Sequence, residues 1–227
     1  MKRSTLTAAA VGAGVIAGAL YLTSAGGPAS GPGSPGPGSS CDYPSGPAPL
    51  PKSTGELVRR IAARIERENR AVNLQSCNFG SPTPLPCSLI VAAPLATAPR
   101  FGLRADFVTA ICWRESRFMQ ELGDLERRLA QNLAIGPMQV KPVAFRDAGL
   151  NPEHLLKLNQ PQQVQFSISA GLAYLARLRD HYGAASYCDL ATAYHLGPTA
   201  FRRGERRAAY TRSVIEAAQR FSELATP

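Results

Sequence analysis

Glu115 is an acid placed among apolar side chains. It lies in Ala110-Ile111-Cys112-Trp113-Arg114-Glu115-Ser116-Arg117-Phe118, where Val108, Ile111, Cys112, Phe118 and Met119 recur at helical spacing. Glu115 falls inside that stripe, four residues after Ile111 and three after Cys112. Burial against apolar groups disfavours the charged form of a carboxyl and raises its pKa. That is the property a general acid needs near neutral pH. The competing structural reading is that Glu115 ends the stripe at the surface, or pairs with Arg104 or Arg114; this window alone leaves the two level.

Further groups able to contact a polar ligand follow in the chain. Ser116 sits beside the acid. Met138 and Gln139 lie in Gly136-Pro137-Met138-Gln139-Val140. Tyr194 and His195 lie in Ala193-Tyr194-His195-Leu196-Gly197-Pro198, and Tyr210 opens the last helical stretch. Each also has an ordinary structural use: a helix-surface hydroxyl for Ser116, core filling for Met138, a cap for Gln139, and packing with a satisfied hydroxyl for the tyrosines. Trp113 is off the stripe and suits helix packing. A second carboxylate that could work with Glu115 is not evident. Glu121, Asp124 and Glu126 fall in a polar stretch, and Asp106 stands at the start of the Glu115 helix. His154, His181 and His195 form no ligand cluster and no spacing suits zinc, so neither metal nor cofactor is expected.

Helices must position these groups. The periodicity predicts helices over about 54–72, 89–101 (bent or broken at Pro94), 105–119, 142–149, 162–182, 189–196 and 206–224, with a short helix or structured loop in 120–134. The first opens on Ser53-Thr54-Gly55-Glu56, a capping-box spacing, and turns Arg59, Arg60, Arg64, Arg67 and Arg70 to what reads as a solvated face. No stretch alternates with period two and no repeat is present. The fold class is all-α.

Taken in order, the motifs resemble the lytic transglycosylases of the soluble-type, goose-lysozyme-like superfamily (the SLT domain). Phe101-Gly102-Leu103 matches the entry to the acid's helix, Glu115-Ser116 its end, and Gly136-Pro137-Met138-Gln139 the turn after it. Tyr174-Leu175, Ala193-Tyr194-His195-Leu196-Gly197 and Tyr210 match the later segments. The resemblance covers roughly residues 88–221. It departs from the family pattern at Pro137 (usually Leu), His195 (usually Asn) and Ser167 (usually Asn), and in a longer stretch between Phe118 and Gly136. It implies a lysozyme-like cleft with Glu115 catalytic, and with Ser116, Met138, Gln139, Tyr194, His195 and Tyr210 binding substrate. Glycoside cleavage commonly uses two carboxyl groups. The family chemistry implied here uses one, which protonates the bond between N-acetylmuramic acid and N-acetylglucosamine and then accepts the C6 hydroxyl proton as a 1,6-anhydro ring closes. The implied substrate is peptidoglycan glycan strands. A hydrolytic muramidase on the same fold, with a residue such as Asp124 positioning water, and a non-catalytic wall-binding assembly protein are the rivals.

The chain has 227 residues, a formal charge of +9 and 44% hydrophobic content, enough for one globular domain with flanking segments. The positive charge suits an anionic partner, but no nucleic-acid-binding motif is present. Residues 1–25 read as a signal peptide or N-terminal membrane anchor: Met1-Lys2-Arg3 precedes an uncharged run from Leu6 to Leu22. Export to the periplasm or cell envelope follows, with membrane contact only through that segment if it is uncleaved. Residues 26–52 read as a Gly/Pro/Ser-rich linker, 53–87 as an extra amphipathic helix with a Pro-rich loop, and 88–224 as the SLT domain. Linker and extra helix would suit an envelope-spanning secretion or conjugation complex. Five cysteines in an exported chain suggest disulfides. Cys77 with Cys87 is the first expected pair and Cys112 with Cys188 the second, leaving Cys41 odd; a buried free thiol at Cys112 is an equal alternative.

Overall fold

The computed structural model describes residues 43–44, 54–72, 77 and 85–224. The chain divides into two units, residues 1–34 and 35–227, and all described residues belong to the second. The expected signal or anchor, Cys41 and Ser53 of the capping box lie outside the described residues, as does the expected linker apart from Tyr43 and Pro44.

Nine α-helices account for most of the described residues: α1 (Thr54–Ala71), α2 (Cys87–Thr97), α3 (Ala105–Ser116), α4 (Leu125–Ala130), α5 (Pro142–Asp147), α6 (Gln160–Tyr182), α7 (Tyr187–Leu196), α8 (Pro198–Arg202) and α9 (Ala208–Glu223). Two 3₁₀ turns, Ala98–Phe101 and Pro152–Lys157, join them. Among the described residues there is no strand; a lone antiparallel bridge pairs Ile135 with Val140. The described residues are all-α, as the periodicity predicts. No described helix is long and apolar enough to cross a membrane.

α3 occupies the centre, packed along α9 on one side and α2 on the other. Phe107, Val108, Ala110, Ile111 and Cys112 are all fully buried. Its start is fixed by a buried ion pair, Arg104 Nη2 to Asp106 Oδ2 at 2.6 Å. Arg104 Nε also donates to the Tyr43 hydroxyl at 3.2 Å. The Tyr43 ring packs on Phe107 and edge-on against Tyr187. A residue of the expected linker therefore belongs to the core. Arg104 is committed to Asp106, so it is not the partner of Glu115.

α3 ends three residues before the apolar pattern does. Arg117 and Phe118 adopt left-handed backbone at φ 52° and 64°, and this turn, not a further helical turn, carries Phe118 into the core. Met119 is only half-buried. The extra helix braces this end. Leu57, Val58, Ile61, Ala62 and Ile65 of α1 are buried, and the fully buried Asn69 donates to the Arg117 carbonyl at 3.2 Å. On the outer face Glu56 pairs with Arg59 and Arg60, and Arg64 with Glu68, as befits a solvated face. Val72 lies past the helix and is exposed.

Cys77 and Cys87 are disulfide-bonded. The second expected pair does not form: Cys112 is a buried free thiol in the middle of α3, and Cys188 is disulfide-bonded elsewhere. Interior burial puts Cys112 among apolar neighbours, with its thiol pushed up in pKa by desolvation.

α6 begins with an Asn159–Gln162 capping box and ends at Gly183, φ 76°. Ser186 caps α7, and Gly197, at φ 82°, separates α7 from α8. α9 buries Tyr210, Val214, Ala217, Ala218 and Phe221, a three-and-four spacing that lays one face on α3 and α7.

Candidate active site

Glu115 is in the last turn of α3, half-buried. Across the α3–α9 interface the buried Tyr210 donates its hydroxyl hydrogen to Glu115 Oε1. Glu115 Oε2 receives no protein hydrogen bond among the described residues. Two influences act on the carboxyl in opposite directions. Desolvation raises its pKa above the ordinary value; the Tyr210 hydrogen bond and the neighbouring Arg114 guanidinium lower it, and the net direction is upward. Tyr210, buried beside that acid, is itself pushed up and stays protonated.

A stack covers Tyr210. The His195 ring lies nearly parallel to it, centroids 4.1 Å apart and planes 18° apart. The Arg114 guanidinium carbon stands 5.6 Å from the Tyr210 ring centroid. His195 is exposed and its pKa is lowered, first by desolvation and then by the charges of Arg207 and Arg114, so the imidazole is neutral near pH 7. Thr192 and Thr211 share a hydrogen bond at 2.8 Å and tie α7 to α9 nearby.

The 136–139 turn is held from three sides. Ser116 Oγ donates to the Pro137 carbonyl at 2.7 Å, and the Tyr194 hydroxyl donates to the Met138 carbonyl at 2.7 Å. Beneath the turn, a Cβ at Gly136 would collide with the Ser167 side chain. Gly136 also has φ 74°, so glycine is required there twice over. Gln139 closes the turn at φ 52°, donating Nε2 to the Gly136 carbonyl at 2.9 Å.

The seven residues singled out in the sequence therefore fall into two linked groups. Glu115, Tyr210 and His195 come together directly. Ser116, Met138, Gln139 and Tyr194 build the turn beside α3. Met138 has no exposed surface, and its thioether packs on Gly171, where a Cβ would meet Sδ at 2.5 Å. The Ser116 hydroxyl is buried and engaged with Pro137. Three of the four other candidate acids are occupied elsewhere: Asp106 by Arg104, Glu121 by Arg128, and Asp124 as the N-cap of α4 and partner of Arg127; Glu126 is exposed on α4. A separate concavity of about 620 Å³, which does not include Glu115, is lined by Glu126, Val143, Arg146 and Leu156 among others. No described group of His, Cys, Asp and Glu side chains is placed to hold a metal ion.

Residues 94–213, more than half of the chain, match the transglycosylase SLT domain family. The chain belongs to that family. No curated protein and no solved structure gives a significant match. Membership supports a lytic-transglycosylase-type enzyme acting on peptidoglycan, and hence outside the cytoplasm. The matched span of the SLT domain contains all of α3 through α8 and reaches into α9 past Tyr210. The extra helix α1 and the Cys77–Cys87 disulfide lie outside it.

The sequence did not single out Arg207, or Thr192 with Thr211. Arg207 had one available signal: it precedes Tyr210 by three residues, which places the two one helical turn apart.

Proposed function

We propose that this SLT enzyme cleaves the N-acetylmuramic acid–N-acetylglucosamine bond without water, with Glu115 as acid and then base. The observation that carries the reading is the Glu115–Tyr210 pair: a half-buried carboxyl of raised pKa, held through Oε1, with no second carboxylate engaged with it. In the first step protonated Glu115 gives its proton to the glycosidic oxygen as the bond to the muramoyl anomeric carbon breaks. Positive charge develops at that carbon, and the Glu115 carboxylate now formed lies in the same cleft. The Tyr210 hydroxyl stabilises that carboxylate by a charge-assisted hydrogen bond. In the second step the muramoyl C6 oxygen attacks the anomeric carbon and Glu115 takes the hydroxyl proton. The 1,6-anhydro ring closes, and Glu115 is protonated again for the next turnover. Atoms balance with no water consumed. Commitment of Asp124 to Arg127 and to the α4 cap supports this reading over one in which Asp124 positions water.

The roles of Ser116, Met138, Gln139 and Tyr194 in this reading are to shape and brace the turn beside the acid. His195 and Tyr210 line the reacting edge. The setting is the periplasm or cell envelope, and a local wall opening during assembly of a secretion or conjugation apparatus fits the segments that precede the domain.

The test is digestion of purified peptidoglycan by wild type and Glu115→Gln, with mass spectrometry of the products. Anhydro ends released by wild type and absent with the folded variant are expected. Reducing ends in their place would assign a hydrolase, and full activity of the variant would remove Glu115 from the chemistry.

A further inference from the structure

Two arginines that make no ion pair, Arg114 and Arg207, stand at the rim of the Glu115–Tyr210 pair. Arg114 reaches over the Tyr210 ring at 5.6 Å from its guanidinium carbon, and it is exposed. Arg207 is the exposed residue before α9, one helical turn from Tyr210. Both act on His195, which is stacked on the same ring. Ten of the twenty arginines of the described residues have a carboxylate within ion-pair distance. Arg104, Arg127, Arg128, Arg146, Arg179 and Arg203 all do. Arg114 and Arg207 make no ion pair. The nearest acid in sequence to Arg207, Glu205, is paired with Arg203. The first turn of α9 holds no acidic residue and no side-chain cap, so the positive end of the helix macrodipole adds to the same place. The remaining acid there is Glu115, whose pKa is raised by desolvation against the lowering effects of the Tyr210 hydrogen bond and Arg114.

We propose that Arg114 and Arg207 form an anion subsite at the edge of the Glu115–Tyr210 pair, which takes a carboxylate carried by the peptidoglycan substrate. This rests on the proposed function for the identity of the substrate, but not for the existence of the subsite. Guanidinium groups recognise carboxylates by paired, charge-assisted hydrogen bonds. His195, its pKa lowered by desolvation and then by both arginines, keeps the ring stack beside them. Peptidoglycan offers two sources of this chemistry: the carboxylates of the peptide stems, and the lactyl carboxylate of N-acetylmuramic acid exposed when the stems are removed.

The experiment measures sedimentation of the full chain with insoluble peptidoglycan, in parallel with product release. Two substrate pairs are compared: intact wall with free or carbodiimide-amidated stem carboxylates, and amidase-stripped strands with free or amidated lactyl carboxylates. Wild type should bind the free form of at least one pair about tenfold more tightly than its amidated form, the lower end of what one charge-assisted hydrogen bond contributes. The pair that shows the difference names the source. Arg114→Gln/Arg207→Gln should lose that preference. Arg100→Gln/Arg220→Gln, which removes the same charge from exposed positions in the 3₁₀ turn before α3 and near the C-terminal end of α9, should keep it. Equal binding of both forms in both pairs, or equal loss in the two double variants, overturns the subsite. The binding arm decides this whether or not products appear, and absence of products from wild type counts only against the proposed reaction.

Discussion

Tyr210 donates its phenolic hydrogen to Glu115 across the α3–α9 interface, so the last helix of the domain controls the carboxyl at the end of its central one. The bond favours the ionised acid, and burial favours the neutral one. A carboxyl poised between these can lose and regain a proton within one turnover.

The raised pKa of Glu115 has a consequence for stability. Between its ordinary value of 4.5 and its higher native value, the native state binds more protons at this site than the unfolded chain. Stability contributed by this group therefore falls as pH rises through that window, and is unaffected below it. Glu115→Gln cannot ionise and should escape that loss. Its Tm should match that of wild type near pH 4 and exceed it progressively toward neutral pH, measured by calorimetry at matched ionic strength. A constant difference across pH would mean that the carboxyl is not raised.

Tyr210→Phe keeps the ring under His195 and removes only the hydroxyl. A hydrogen bond to a charged partner contributes about 1.5–3 kcal/mol, so kcat should fall roughly tenfold to a hundredfold. Because the bond lowers the Glu115 pKa, its loss should move the alkaline limb of the pH–rate profile to higher pH. A fall in rate with an unmoved limb would place Tyr210 in substrate contact alone.

How far the sequence foretold this site depended on what kind of signal each residue carried. Glu115 was visible because an acid interrupts an apolar period, and period reports which face is buried. Tyr210 was visible because it begins the regular stripe of α9. The end of α3 was not, since Phe118 continues the period yet is buried by left-handed turns at Arg117 and Phe118. The Cys112–Cys188 pairing failed because spacing along the chain says nothing about which sulfur atoms meet. Tyr43 was hidden as a single aromatic within a Gly/Pro/Ser-rich stretch, its place in the core fixed by Arg104, Phe107 and Tyr187. α8, five residues long, is too short for any period to register.

His195 occupies a position where the family usually has Asn, and its measurable contribution here is the stack on Tyr210. An aromatic pair of this kind is worth about 0.5–1.5 kcal/mol. His195→Ala should therefore lower glycan turnover by about two- to tenfold, through a less ordered Tyr210. His195→Phe, which keeps the stack and discards the ring nitrogens, should restore most of the rate if stacking is the role. If only an imidazole or an amide restores it, His195 acts through a hydrogen bond to the sugar.

Ser116 and Tyr194 hold successive carbonyls of the same turn, those of Pro137 and Met138, from α3 and α7. Ser116→Ala should lower unfolding stability by about 1 kcal/mol, the usual net value of one such bond. Tyr194→Phe should act similarly. Residues that share one partner segment are energetically coupled, so the double variant should depart from additivity in a denaturant-unfolding cycle, because once one tether is gone the turn relaxes away from the other. The kinetic readout separates this bracing role from direct contact with sugar. Loss of a brace reduces stability together with activity, whereas loss of a substrate contact raises KM and leaves the unfolding midpoint where it was. The geometry, with the Ser116 hydroxyl buried and directed at Pro137 and not at open cleft, predicts the first pattern.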